Sequence, residues 1–222
     1  MLPSQTVENY LKTIFLAQIT LAEADGLVPM GQVAASLGVV PGTATTMIKT
    51  LSESGLVHYE PYEGVRLTAA GEKLAGLVLR RHRLIELFLV KVLGMSWAEV
   101  HEEAERLEHA VSEQVIDRID AMLGRPAVDP HGDPIPSPEG RLPRVDDADL
   151  LNAPEGVALT VTRVTDQSPE FLRFVEQHDL VPGQQVSVIA RDSAADTVRL
   201  QAAGNARTIG VRAASKILVR AK

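Results

Sequence analysis

Thr43-Ala44-Thr45-Thr46-Met47-Ile48-Lys49-Thr50-Leu51-Ser52-Glu53-Ser54-Gly55-Leu56-Val57-His58-Tyr59-Glu60 is the stretch whose reading decides the fold. Thr43 to Ser54 reads as a helix with Gly55 as its cap, because glycine adopts the left-handed conformation that closes a helix without a Cβ penalty. Leu56 to Glu60 is rich in β-formers, Tyr62-Glu63-Gly64 is a turn, and Val65-Arg66-Leu67 returns, which makes a β-hairpin. Working outward, Val39 to Gly42 is a tight turn and Pro29 to Leu37 is a short helix ended by Gly38. Asp25-Gly26 marks a turn, and Thr6 to Thr20 reads as a first helix with an apolar stripe at Val7, Tyr10, Leu11, Ile14, Phe15 and Ala17. Two helices, a tight turn, a third helix and a hairpin spell a winged helix-turn-helix, with the third helix as the groove reader. Its groove-facing residues are Val40, Pro41, Gly42, Thr43, Thr45, Thr46 and Lys49. They are small and hold no Arg, so DNA shape and dimer spacing should contribute more than direct base readout.

In the other direction, Thr68 caps a long helix that runs to about Leu93 and stops at Gly94. Then comes His101-Glu102-Glu103-Ala104-Glu105-Arg106-Leu107-Glu108-His109, expected inside one helix between Ser96 and Gly124-Arg125-Pro126. At about 100° per residue, positions 101, 105, 108 and 109 share one face, while Leu107, Val111, Val115 and Ile119 recur on another and read as core. His82 and Glu86 share a face of the preceding helix. A run of Glu is ordinarily only a solvated surface; two helices with in-phase His and Glu stripes can also close around a divalent cation. The apolar faces of the two helices (Leu84, Leu87, Phe88, Val92, Val111, Val115, Ile119) exceed what a small domain needs, which suggests a dimer.

Residues 125–150 carry six prolines and read as an extended linker poorly able to pack, with His131 in a turn role. Beyond Gly156, five short strands and a helix at Pro169 to His178 suggest a small SH3-like barrel. The expected fold class is α+β: a winged helix-turn-helix at 1–71, a helical dimerisation and metal-binding domain at 72–124, the linker, and the SH3-like, FeoA-type domain at 151–222.

Composition narrows the function classes. The 222 residues include no Cys, which removes disulfides, zinc–thiolate sites and cysteine nucleophiles together. Net charge is −7, so nonspecific affinity for nucleic acid should be weak. Residues 81–124 hold five Lys/Arg against nine Asp/Glu, an acidic segment that cations would relieve. No apolar run approaches the length of a membrane span and no secretory signal is visible, so a cytoplasmic protein without a membrane partner is expected.

Several motifs resemble the diphtheria toxin repressor family of metal-dependent transcription regulators. They are Glu8-Asn9-Tyr10-Leu11-Lys12-Thr13-Ile14, Gly55-Leu56-Val57, Leu67-Thr68-Ala69-Ala70-Gly71, Arg81-His82-Arg83-Leu84, Glu108-His109, Asp129-Pro130-His131-Gly132-Asp133-Pro134-Ile135-Pro136 and Leu180-Val181-Pro182-Gly183. The resemblance implies a homodimer that binds a palindromic operator in double-stranded DNA when loaded with Mn(II) or Fe(II). It implies a primary metal site of Asn9, Glu105, Glu108 and His109, and an ancillary site of His82, Glu86 and His101 closed by Gln167 and Glu170. Iron-responsive members place Cys at the position of Glu105 and manganese-responsive members Glu or Asp, which favours Mn(II), with Fe(II) as the alternative. The first-helix position is often Met in the iron branch and Asp in the manganese branch; Asn9 is neither, and its amide oxygen is a weaker ligand than a carboxylate. Carboxylate, amide and imidazole donors without thiolate agree with either ion.

Two other classes compete. Clustered His and Glu also serve metallohydrolases, but the His-Glu-x-x-His helix is absent and no separate general base stands out, so no enzyme activity is expected. A small barrel that binds a proline-rich segment would make a pure interaction module.

Overall fold

A computed structural model describes residues 4–21 and 26–221. The turn expected at Asp25-Gly26 lies partly outside them. Compactness divides the chain into two units: Met1–His82 with Pro136–Pro143, and Arg83–Ile135 with Arg144–Lys222.

In the first unit, helices α1 (Gln5–Thr20), α2 (Met30–Leu37) and α3 (Pro41–Glu53) precede strands β1 (Val57–Glu60) and β2 (Gly64–Leu67). Ser4 caps α1 by accepting the Val7 N–H. Gly38 ends α2 at φ 64°. Pro41, already at the φ a helix requires, starts α3 two residues before the expected Thr43. β1 and β2 pair antiparallel from Val57↔Leu67 to Glu60↔Gly64. Leu11, Ile14, Val33, Ile48, Leu51 and Val65, none more than 1% exposed, form the core of this winged helix-turn-helix. Helix α4 (Ala69–Lys91) follows, and Thr68 Oγ1 accepts the Gly71 N–H at its start. Pro136–Pro143 packs on the early turns of α4, where Arg80 donates to the Pro136 carbonyl at 2.8 Å. A Cβ on Gly76 would overlap the Gly140 carbonyl.

The second unit takes the rest of α4, then α5 (Val100–Leu107) and α6 (Glu113–Met122). The single helix expected from Ser96 to Gly124 is therefore broken. Ser112 starts α6 by accepting the Val115 N–H, so the chain turns between Glu108 and Ser112. The break resets the helical phase. Leu107 and Val115, expected in the core, are 37% and 45% exposed, while Ile116 and Ile119 are buried. Leu84, Leu87 and Ile119 of the supposed dimer face pack within the chain's own core.

The proline-rich segment is also unlike the expected linker. Asp129, His131, Gly132, Pro134 and Ile135 are buried. Arg83 donates to the Pro134 carbonyl, and the Val164 N–H donates to the His131 carbonyl. Prolines cannot complete a ladder, yet their carbonyls accept from buried arginines, so the segment is satisfied and packs.

The C-terminal strands are β3 (Ala148–Asp149), β4 (Leu159–Val164), β5 (Gln185–Asp192), β6 (Thr197–Ala202), β7 (Asn205–Gly210) and β8 (Ile217–Ala221). Helix α7 (Pro169–Gln177) lies between β4 and β5, and α8 (Val211–Ala214) between β7 and β8. The antiparallel order is β3-β8-β4-β5-β6-β7, an open sheet rather than the expected closed barrel. All five expected strands are present; β3 comes from the segment read as linker. The class is α+β.

Candidate metal centre

Helix α4 carries His82 and Glu86 one turn apart, both buried. Glu86, 1% exposed, lies at the centre of the cluster in the second unit. Its Oε1 stands 3.3 Å from His101 Nδ1 on α5, and His101 Nε2 stands 3.7 Å from Glu105 Oε1, one turn further along. Glu108 is fully buried at the C-cap of α5, and its Oε1 is 3.2 Å from Nε2 of His109. The break after Leu107 thus leaves Glu108 and His109 beyond the helix that carries His101 and Glu105. Sequence spacing alone had set all four on one helical face.

Glu86 has a second set of neighbours that sequence reasoning missed. Ligand atoms of Glu86, Asp129 and His131 lie within 4.8 Å of one another, all three buried. His131 Nε2 is 2.8 Å from the Trp97 carbonyl oxygen, and the two rings stack at 5.5 Å. A carbonyl only accepts, so Nε2 carries the hydrogen, and in the neutral ring Nδ1 is a lone pair. That Nδ1 faces Glu86 Oε2 at 3.9 Å and Asp129 Oδ1 at 4.0 Å, with no hydrogen-bond partner among the described residues. A ring held through one nitrogen by a backbone carbonyl, with the other aimed at two carboxylates, has the usual form of a metal-ligating imidazole. The alternation Asp129-Pro130-His131-Gly132-Asp133 was the available signal. Its prolines argued for a turn, which hid that the turn is buried.

Burial raises the Asp129 carboxyl well above the ordinary carboxylate range; Asp133 and Glu86 raise it further, against Arg83 and the Asp133 N–H. Arg83 lies 3.5 Å from Asp129 Oδ2 and 3.5 Å from Asp133 Oδ1. Gln167 donates to Asp133 Oδ2 at 2.7 Å, and Glu170 is exposed in the first turn of α7. Gly132 fits at φ 87° against the Thr162 carbonyl, where any Cβ would collide.

In the first unit, Asn9 Oδ1 is buried without a hydrogen-bond partner among the described residues. An orphaned amide oxygen costs free energy unless something binds it, and a cation would. In the second unit, carboxylate and imidazole donors without thiolate fit a hard or borderline divalent ion.

On α3, Pro41, Gly42, Thr43, Thr46 and Lys49 are exposed, Thr45 is half-buried, and Val40 is 67% exposed at the N-cap. The Thr45 and Thr46 hydroxyls donate to the Pro41 and Gly42 carbonyls at 2.9 Å, so their hydrogens serve the helix first. His58 lies in the wing strand β1 and is exposed.

No helix among the described residues is long and apolar enough to cross a membrane. The model "Iron dependent repressor, N-terminal DNA binding domain" matches residues 3–65. "Iron dependent repressor, metal binding and dimerisation domain" matches residues 68–137, and the FeoA domain residues 149–221. The iron-dependent repressor IdeR of Mycobacterium tuberculosis is 33% identical over 196 residues, 82% of this chain and 83% of its own. The HTH-type transcriptional regulator MntR of Shouchella clausii is 34% identical over 55% of this chain and 82% of its own. A solved manganese-dependent transcriptional repressor in complex with manganese superimposes with a TM-score of 0.86 at 38% identity, covering 97% of this chain and 100% of that one. None of these relatives is a hydrolase, and the metallohydrolase reading finds no support. The chain belongs to the iron-dependent repressor family of metal-dependent transcriptional regulators.

Proposed function

We propose that the chain is a Mn(II)-switched transcriptional regulator that binds a palindromic operator as a homodimer and controls genes of metal uptake or homeostasis. It would act in the cytoplasm and hold its domains at 1–71, 72–124 and 151–222. The observation that carries this reading is two thiolate-free groups, Glu86 with His101 and Glu105, and Glu108 with His109. Asn9, Glu105, Glu108 and His109 would hold the primary ion. His82, Glu86 and His101 would hold the ancillary one, with Gln167 and Glu170 as the inherited closing residues. Asp129 and His131 are a second way to close it, supported by their approach to the same Glu86.

The bound ion supplies positive charge to an acidic cluster and bonds that join separate elements. The chain's own residues do the rest. The Trp97 carbonyl and ring hold the His131 imidazole in position, and the buried Glu108 presents its carboxylate beside His109. Asn9 belongs to the helix that opens the DNA-binding unit, whereas Glu105 lies on α5 and Glu108 and His109 in the turn that follows it. Joining them would fix the orientation in which two recognition helices meet successive major grooves, about 34 Å apart. Without the ion, affinity falls by the cost of that ordering. Val92, Leu93 and Met122, exposed by 48%, 59% and 66%, are apolar residues that a second copy would cover.

Fe(II) is the second reading, favoured by the similarity to an iron-dependent repressor over 82% of this chain. Fluorescence anisotropy of a labelled manganese-transporter promoter fragment, with chelator, Mn(II), or Fe(II) without oxygen, decides. Binding with Mn(II) alone, abolished by Glu105→Ala, supports the proposal. Preference for Fe(II) moves the chain to the iron branch. Equal binding with chelator overturns the switch.

A further inference from the structure

The tip of the wing carries an aromatic ring that the fold does not use. Tyr62 is 105% exposed, and its backbone has φ 70°. A left-handed position in a hairpin turn ordinarily holds Gly, Asn or Asp, because a Cβ there crowds the backbone. Tyrosine at this place strains the turn, packs on nothing among the described residues and leaves an apolar ring in water. The strands behind it are divided cleanly. Val57, Tyr59, Val65 and Leu67 face the core, whereas His58 and Arg66 are cross-strand partners on the opposite face. Arg66 is the one Lys or Arg in residues 57–67, and Glu60 and Glu63 flank the tip. Attraction of a polyanion is therefore weak at the tip itself, so a contact made there falls to the ring and its hydroxyl.

We propose that Tyr62 is a second DNA-contact residue, resting on the DNA-binding reading above. Its ring packs on the deoxyribose edge beside the groove entered by α3, its phenolic O–H donates to a phosphate, and Arg66 holds the neighbouring phosphate. Such contacts position the protein on the duplex rather than read bases. They also give a recognition helix that lacks Arg a second anchor, which sets its depth and angle in the groove.

The test uses the full chain loaded with Mn(II) and a duplex enriched from a random-sequence library. Anisotropy is measured over a salt series. Tyr62→Asn removes the ring but keeps a residue that tolerates the left-handed backbone. It should weaken binding roughly ten-fold while leaving the thermal midpoint unchanged or higher. Tyr62→Phe, which loses only the hydroxyl, should fall between it and the native protein. Arg66→Gln should reduce the slope of log affinity against log salt by about one. Native-like affinity of Tyr62→Asn, beside normal binding by the unaltered protein, overturns this assignment alone. Failure of the unaltered protein to bind any duplex overturns both the assignment and the reading beneath it.

Discussion

Arg81 donates to Glu8 across 2.6 Å, with the two side chains 5% and 6% exposed. This buried pair ties the first helix to α4 within one unit, one residue before Asn9. Removing Glu8 takes a carboxylate away from a buried guanidinium, and breaking a buried pair typically costs about 3–5 kcal/mol. Glu8→Ala should therefore lower the urea midpoint sharply. A loss of only a few tenths of a kcal/mol would show that water reaches the guanidinium.

Gly76 and Gly140 meet with no room for a side chain. Gly76→Ala should push the Ser137–Arg141 turn off α4 at a cost of about 1–3 kcal/mol, the range for overpacked sites. Gly31→Ala is the control. It lies in α2 with nothing within 4 Å of an added Cβ, and should stabilise by about 0.5–1 kcal/mol through helix propensity. Chemical denaturation of both variants checks the pair; equal effects would contradict the packing argument.

A cation that binds only the folded state adds stability by mass action, about 2.7 kcal/mol at a hundred times its dissociation constant. The thermal midpoint should rise with Mn(II) and fall back with chelator. Glu108→Gln, at a fully buried position, should remove most of that increment without large change in the metal-free midpoint. An undiminished increment would take Glu108 out of the ligand set.

Asp129 makes metal-free stability pH-dependent in a defined sense. Its carboxyl is raised in the folded state by burial, then by Asp133 and Glu86. The folded protein thus keeps this proton to higher pH than the unfolded chain, whose value is about 3.9. The contribution to stability is full below the unfolded value, declines as pH rises through the folded value, and is flat above it. Denaturation in chelator across the acid range should show this decline, and Asp129→Asn should flatten it. Identical slopes in both proteins would assign the dependence elsewhere.

Much of the candidate site was legible because helical spacing is local. His82 and Glu86, like His101 and Glu105, are separated by one turn, and a turn is set by backbone hydrogen bonds. Glu108 and His109 stand 3.2 Å apart, but beyond the helix on which their spacing set them. Whether a helix continues through Glu108 to Ser112 depends on packing that leaves Ile116 and Ile119 inside and Val115 outside. The burial of His131 escaped the sequence for a related reason. Composition describes how a proline-rich segment behaves alone, and here buried arginines from a distant helix accept the task of satisfying its carbonyls.

By itself the sequence determined the winged helix-turn-helix, the long α4, the strands of the C-terminal domain and a thiolate-free set of donors. These follow from periodicity, glycine stops and residue chemistry, all of which act over a few residues. Only the tertiary structure decided that α5 and α6 are separate, that the sheet is open, that the 129–135 segment is buried, and that Asp129 and His131 meet Glu86. Those outcomes turn on contacts between residues far apart in the chain, where burial and hydrogen-bond satisfaction outweigh local preference.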